Sequence, residues 1–157
     1  GTKAARRALL LGAEALYREG KYAEAQAQFE KAQASLGSDN LAGTAAYGMA
    51  VCLDALGKTN EALAAYQDVV TRHASSAAAG QAKLALAGLQ EARGEFAQAL
   101  RTYNEMTNRL VSGWSSEALM RRENLLSRHP ELVPTNAPAA AAPLAGAPGA
   151  LTNAAVP

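Results

Sequence analysis

The sequence Gly-Lys-Tyr-Ala-Glu-Ala-Gln-Ala-Gln-Phe-Glu-Lys-Ala, at residues 20–32, decides how the rest of the chain is interpreted. Its first residue, Gly20, is followed by Gly57 and Gly94 at equal intervals of 37 residues. A fixed period of about 20–50 residues is typical of proteins built from stacked structural repeats. The sequence therefore predicts three copies of one unit.

Three more positions keep the same period around each glycine. One alanine precedes the glycine by seven residues, a second follows it by five, and an aromatic residue follows the second alanine by four. We expect the four columns to be repeat-packing residues: Gly20, Gly57 and Gly94; Ala13, Ala50 and Ala87; Ala25, Ala62 and Ala99; Phe29, Tyr66 and Tyr103.

Each column has a physical reason. Glycine ends the first helix of each unit, because it adopts the left-handed conformation of a helix end at low cost. Alanine allows the two helices of a unit to cross at short distance, and the aromatic ring fills the gap to the next unit. Apolar residues between these columns recur at spacings of three and four residues, which is typical of helices.

These patterns predict an all-α fold, a right-handed solenoid of three helical hairpins with a closing helix. The repeat domain spans residues 1–129 and an extended tail rich in proline and alanine spans 130–157. The repeats cover about 4–37, 41–74 and 78–111, followed by a capping helix at 115–128. The predicted helices are 3–19, 22–36, 40–56, 59–73, 76–93, 95–110 and 115–128.

The segment at residues 20–32 closely resembles the second helix of a tetratricopeptide repeat (TPR), and the resemblance extends over residues 4–128. The usual TPR period is 34 residues, so each unit here is three residues longer, and the proline that often ends a TPR unit is missing. The resemblance implies a protein that binds other proteins and has no catalytic activity.

Two shorter stretches resemble TPR proteins of the bacterial cell envelope. They are Tyr66–Ser76 and the ending that runs from Gly113 and Trp114 to Glu131. This likeness implies a location in the periplasm or cell envelope, with the cytoplasm as the alternative. Because the chain opens at Gly1 without methionine, we expect a processed product, and membrane contact only through a partner or an N-terminal anchor missing from this chain.

Composition argues against several other classes. Fifteen basic and fourteen acidic residues leave a net charge of +1, so the chain has no field that would attract nucleic acid. No stretch reaches the roughly 18 apolar residues of a membrane-spanning helix. The single cysteine, Cys52, cannot form an internal disulfide and is expected to be a small core residue.

Catalytic motifs are missing from the sequence. The two histidines, His73 and His129, fall at the predicted C-terminal ends of helices, where a histidine meets free carbonyl groups. Neither has metal-ligand neighbours at a suitable spacing. We therefore expect no enzyme activity, no metal and no cofactor.

The TPR resemblance implies a binding groove lined by the first helix of each unit. Gly48 and Gly88 lie inside these helices, either to make room for a partner's backbone or to allow tight packing within the domain. The positions where co-chaperone TPR domains clamp a C-terminal carboxylate lack the needed cations, so we do not expect that activity. The expected partner-binding residues are Leu10, Glu14, Tyr17, Tyr47, Val51, Leu84 and Glu91.

All six prolines follow residue 129, and the tail holds one charged residue, Glu131. Such a segment cannot continue a helix or build a core, so we expect it to lie on a partner. The sequence thus predicts a scaffold that docks a partner polypeptide through the groove and the tail. The alternative is a structural subunit that bridges chains of a large multi-subunit complex, either in solution or at a membrane. An enzyme with an unrecognised site ranks third.

Overall fold

A computed structural model describes residues 2–37, 41–108 and 113–133. The predicted extended tail at 130–157 begins within these ranges, where Pro130–Leu132 forms a 3-10 helix instead of extended chain. The rest of the tail, beyond residue 133, lies outside the described residues. Within them, the chain forms seven α-helices and one short 3-10 helix at Pro130–Leu132. The helices are α1 (Lys3–Arg18), α2 (Tyr22–Leu36), α3 (Leu41–Ala55), α4 (Thr59–Arg72), α5 (Ala78–Ala92), α6 (Phe96–Thr107) and α7 (Ser115–Arg128).

Each helix packs mainly against the helices before and after it in the chain, and these neighbours run antiparallel. The predicted all-α fold, a TPR-like array of helical hairpins, is therefore confirmed. The helix bounds agree with the sequence prediction to within three residues at each end. Regular local spacing determines these bounds, so they could be predicted without knowledge of the packing.

The glycine column closes the first helix of each unit. Gly20, Gly57 and Gly94 have φ angles of 77°, 71° and 75°. After Gly20, the amide of Lys21 donates a hydrogen bond of 3.0 Å to the carbonyl of Leu16, which closes the helix end in a Schellman motif. The same bond follows the other two glycines. No other atom lies within 4 Å of a Cβ added at any of the three, so glycine is required by the backbone angle alone.

The alanine columns lie at the closest helix crossings. All six of these side chains have zero exposure, and the aromatic column is at most 4% exposed. Larger side chains would hold the helices apart, because the interiors of proteins are packed without spare volume. The alanines are Ala13, Ala50, Ala87, Ala25, Ala62 and Ala99, and the rings are Phe29, Tyr66 and Tyr103.

Three apolar clusters follow one another along the array. The first joins α1, α2 and α3, the second joins α3, α4 and α5, and the third joins α5, α6 and α7. Each cluster therefore links one hairpin to the first helix of the next. In the third cluster α7 packs on α6 through Ala118 and Leu125, both with zero exposure.

Two of the buried aromatic residues carry a hydroxyl group that needs a partner. The Tyr103 hydroxyl donates a hydrogen bond of 2.7 Å to Glu91 Oε1, and Arg128 donates to the other oxygen of Glu91. One period earlier, burial and the nearby carboxylate of Asp54 raise the pKa of Tyr66. Burial, followed by the bond to Glu91, likewise raises the pKa of Tyr103.

The first unit lacks both members of this pair, the buried tyrosine and the carboxylate near it. The ring there is phenylalanine, at residue 29, and Tyr17 stands one period before Asp54. At the position of Tyr17, Asp54 and Glu91, a carboxylate therefore occurs in the two units whose second helix buries a tyrosine hydroxyl. This agrees with the general rule that buried polar groups form hydrogen bonds.

Ala50→Leu should destabilise the fold, because it inserts extra volume where α3 crosses α4. We expect the free energy of unfolding to fall by roughly 1–3 kcal/mol in urea denaturation. Ala64→Leu is the control, because Ala64 is exposed on α4. Equal stability of the two variants would contradict the close crossing at Ala50.

Glu91→Leu should leave the buried hydroxyl of Tyr103 without its acceptor, at a cost of about 1–3 kcal/mol in urea denaturation. In a Tyr103→Phe background the same substitution should cost less, because no hydroxyl is left unpaired. An equal cost in both backgrounds would show that the pair does not govern the stability at this position.

Candidate protein-binding groove

A groove of two adjoining hollows lies along the first helices of the three units. It consists of two hollows with volumes of about 360 and 380 Å³, and both are bordered by Tyr47 and Gln81. The first hollow is lined by Glu14, Tyr17, Arg18, Phe29, Thr44, Tyr47, Gly48, Val51 and Gln81. The second is lined by Tyr47, Asp54, Gln81, Leu84, Ala85, Gly88, Leu89, Trp114 and Arg121.

Helix geometry explains why these positions share a face. Along α3, the lining residues Thr44, Tyr47, Gly48, Val51 and Asp54 are separated by steps of three, one, three and three. Residues three and four apart lie on the same side of an α-helix. Four of the five equivalent positions of α5, one period later, line the second hollow: Gln81, Leu84, Ala85 and Gly88.

Five of the expected partner-binding residues line the groove: Glu14, Tyr17, Tyr47, Val51 and Leu84. Leu84 is only 7% exposed, so it contributes part of the floor.

Leu10 and Glu91 are placed differently from our expectation. Leu10 is 6% exposed and belongs to the first apolar cluster, so substituting it would disturb the core. Glu91 uses both carboxylate oxygens within the domain, one for Tyr103 and one for Arg128. It therefore holds α5, α6 and α7 together and does not border either hollow.

Tyrosines give the first hollow its chemical character. The ring of Tyr47 lies 5.9 Å from that of Tyr66, and the ring of Tyr17 lies 5.1 Å from that of Tyr22, measured between centroids. Burial is the main factor that raises the pKa of Tyr17 and of Tyr47. Both hydroxyls therefore stay protonated near neutral pH and can donate hydrogen bonds beside an apolar ring face.

The two glycines inside the first helices have different surroundings. At Gly48 an added Cβ would lie 2.5 Å from the ring of Phe29, so this glycine makes room for tight packing within the domain. At Gly88 an added Cβ would meet only the guanidinium of Arg121, at 3.8 Å. Gly88 thus leaves open space in the floor of the second hollow.

Sequence reasoning missed three residues that border the second hollow: Leu89, Trp114 and Arg121. The last two lie in the segment after α6, for which the sequence predicts a capping helix and a resemblance to envelope proteins but no part in binding. Arg121 stands one period after Leu84, so extending the columns into α7 would have found it. The indole of Trp114 packs against Gly80, where an added Cβ would overlap it.

Charges lie at both ends of the groove. Arg18 pairs with Glu14 at 3.6 Å in the first hollow, and Arg121 pairs with Glu117 at 2.7 Å beside the second. Apolar and aromatic groups lie between these ends, together with Thr44, Gln81 and other hydrogen-bonding side chains. This mixture suits a polypeptide, which offers both apolar side chains and backbone amides.

Reactive groups are not gathered at the groove. Cys52 has zero exposure, and burial raises the pKa of its thiol to about 11, so it stays protonated at neutral pH. The ring of His129 stacks on Phe96 at 3.7 Å, and its Nδ1 lies 3.0 Å from Glu131. His73 caps the C-terminal end of α4.

Among residues 2–37, 41–108 and 113–133, no group of three or more histidine, cysteine, aspartate or glutamate side chains is arranged to hold a metal ion. None of the helices in these ranges has both the length and the apolar character needed to cross a bilayer.

Comparison with known proteins identifies the repeat. A family model described as tetratricopeptide repeat matches residues 44–76, which cover most of α3, all of α4 and the turn that follows. The match corresponds closely to the second of the three predicted units. No curated protein matches the chain. A tetratricopeptide repeat is thus present within an all-helical protein, and repeats of this kind imply a protein-interaction scaffold in general.

Proposed function

We propose that this chain is a non-catalytic scaffold that docks an extended segment of a partner polypeptide in the groove formed by α1, α3, α5 and Trp114. The continuity of the two hollows is the observation that carries the proposal. They meet at Tyr47 and Gln81, so a single extended segment can lie across all three units.

The lining favours a partner with apolar side chains and a free backbone. Rings with protonated hydroxyls at Tyr17 and Tyr47 offer apolar contact and hydrogen-bond donors together. The amide of Gln81 can both donate and accept, which suits the alternating groups of a peptide backbone. A carboxylate clamp is not expected, because Arg18 and Arg121 already pair with Glu14 and Glu117.

The tail and the location complete the proposal. The sequence at residues 130–157 supports a second contact with the partner, because its small and proline-rich composition cannot build a core. We place the protein in the bacterial periplasm or cell envelope on the likeness of Tyr66–Ser76 and of the Trp114 segment to envelope TPR proteins. Bridging of subunits in a larger complex is the alternative role, and it requires no exchangeable peptide.

Gln81→Arg should weaken peptide binding, because it places bulk and charge where the two hollows meet. The probe is a set of 15-residue peptides selected against the purified chain from a random display library, with affinity measured by calorimetry. We expect the dissociation constant to rise at least tenfold, which corresponds to about 1.4 kcal/mol.

Gln67→Arg is the matched control, because Gln67 is exposed on α4 and does not border the groove. It should bind the selected peptides as the unaltered chain does. Equal affinity of the two variants would exclude the groove as the binding site. A library that yields no binding peptide would favour the bridging role.

A further inference from the structure

The outer face of α1 is exposed, although the same face of α3 and α5 is buried. Ala45 and Ala82 have zero exposure, whereas Ala8, at the equivalent place in the first unit, is exposed. Cys52 is fully buried and Ala15, one period before it, is exposed. In the later units these positions belong to the clusters that join each first helix to the helix before it.

The exposed face of α1 therefore corresponds to the face that packs against the preceding helix in the later units. Among the described residues, no helix packs against it in the first unit. Its residues are small or apolar, and at their centre the side chain of Leu11 is 66% exposed. The face consists of Ala4, Ala5, Ala8, Leu11, Gly12 and Ala15.

The opposite end of the array is built differently. One period after Ala87, whose side chain permits a close crossing, stands Asn124, an exposed polar residue of α7. At this position α7 is polar, as terminal units of stacked repeats need for solubility, although Leu119 and Met120 of the same helix are 48% and 61% exposed. The α1 end keeps the small apolar residues of an internal contact.

Residue 11 indicates which kind of helix fits this face. The equivalent position in α3 is Gly48, where the ring of Phe29 from the preceding helix occupies the space of a side chain. In α5 it is Ala85. Leu11 fills that space with its own side chain, so a preceding helix of the repeat type, with its aromatic residue, would collide with it.

A second copy of α1 fits the face better. It brings no aromatic ring, and in an antiparallel arrangement centred between Leu11 and Gly12 the two Leu11 side chains meet on one edge of the contact and the two Gly12 residues on the other. The same register sets Ala8 against Ala15. The small residues around Leu11 allow the two helices to approach closely.

Charge also favours the antiparallel arrangement. Arg7 and Glu14 lie on the same edge of the α1 face, two turns apart. Antiparallel pairing brings Arg7 of each copy to the same side as Glu14 of the other, whereas in parallel pairing these edges lie on opposite sides of the contact. Opposite charges at the rim of an interface select the orientation of the partners.

We propose that this chain forms a symmetric dimer through antiparallel pairing of the α1 helices of two copies. The contact is isologous, because the same patch serves on both sides. It uses the end of the array, and of the residues named for it only Glu14 also borders the groove.

The test is the mass of the full chain in solution, measured by sedimentation equilibrium over a range of concentrations. We expect twice the 16.2 kDa of one chain. Leu11→Glu should raise the dimer dissociation constant at least tenfold, since it buries two carboxylates at the centre of the contact. Met120→Glu is the control, because Met120 is 61% exposed on α7, and this variant should remain dimeric.

Two further variants test the register. Arg7→Glu and Glu14→Arg should each weaken the dimer, and the double exchange should restore it. Leu11→Cys should form a disulfide-linked dimer on mild oxidation, since the native Cys52 is buried, whereas Met120→Cys should not.

A monomeric chain at every concentration would overturn the proposal and leave the face to a helix from another protein or from a longer chain. A dimer that Leu11→Glu leaves intact would overturn it as well. Circular dichroism of each variant confirms that the helices are retained, so that a loss of dimer reports on the contact.

Discussion

The close crossing of paired helices at alanine is the constraint on which this structure depends. Ala13, Ala50 and Ala87 have zero exposure, so each first helix carries nothing larger than a methyl group at this buried position. Burial of each alanine stabilises the fold little by itself, but the short distance lets the larger residues around it meet. The three apolar clusters form because these crossings bring neighbouring helices into contact.

The same packing decides the polar chemistry of the groove. A tyrosine ring at the second helix brings a hydroxyl into the interior, and that hydroxyl needs an acceptor from the first helix. Glu91 serves Tyr103 in this way, and Asp54 stands beside Tyr66 while also bordering the groove. Part of the charge near the binding face is therefore committed to holding the helices together.

The two ends of the array differ because a repeat cannot bury its outer face alone. At one end α7 packs on α6 and presents polar residues such as Asn124 outward. At the other end α1 presents alanine, leucine and glycine in positions that are interior in the later units. A stacked array of this kind can bind a further helix or a second copy at the end where such an apolar face is exposed, here the face of α1.

The sequence alone was enough to predict the helices and their turns. The glycine, alanine and aromatic columns depend on local backbone angles and on a regular period, both of which can be counted along the chain. The first-helix face at Tyr17, Tyr47 and Val51 could be named as a groove in advance because the tetratricopeptide resemblance implies one there, and these residues line the first hollow.

Only the tertiary structure decided what each residue of a column does. Leu10, Tyr47 and Leu84 are equivalent by period, yet Leu10 belongs to the core while Tyr47 and Leu84 border the groove. Glu91 is used within the domain because Tyr103 on α6 and Arg128 on α7 both donate hydrogen bonds to it. Trp114 borders the groove because its indole packs on Gly80 of α5. The period fixes where a side chain starts on its helix, but the neighbouring helices determine whether it meets protein or solvent.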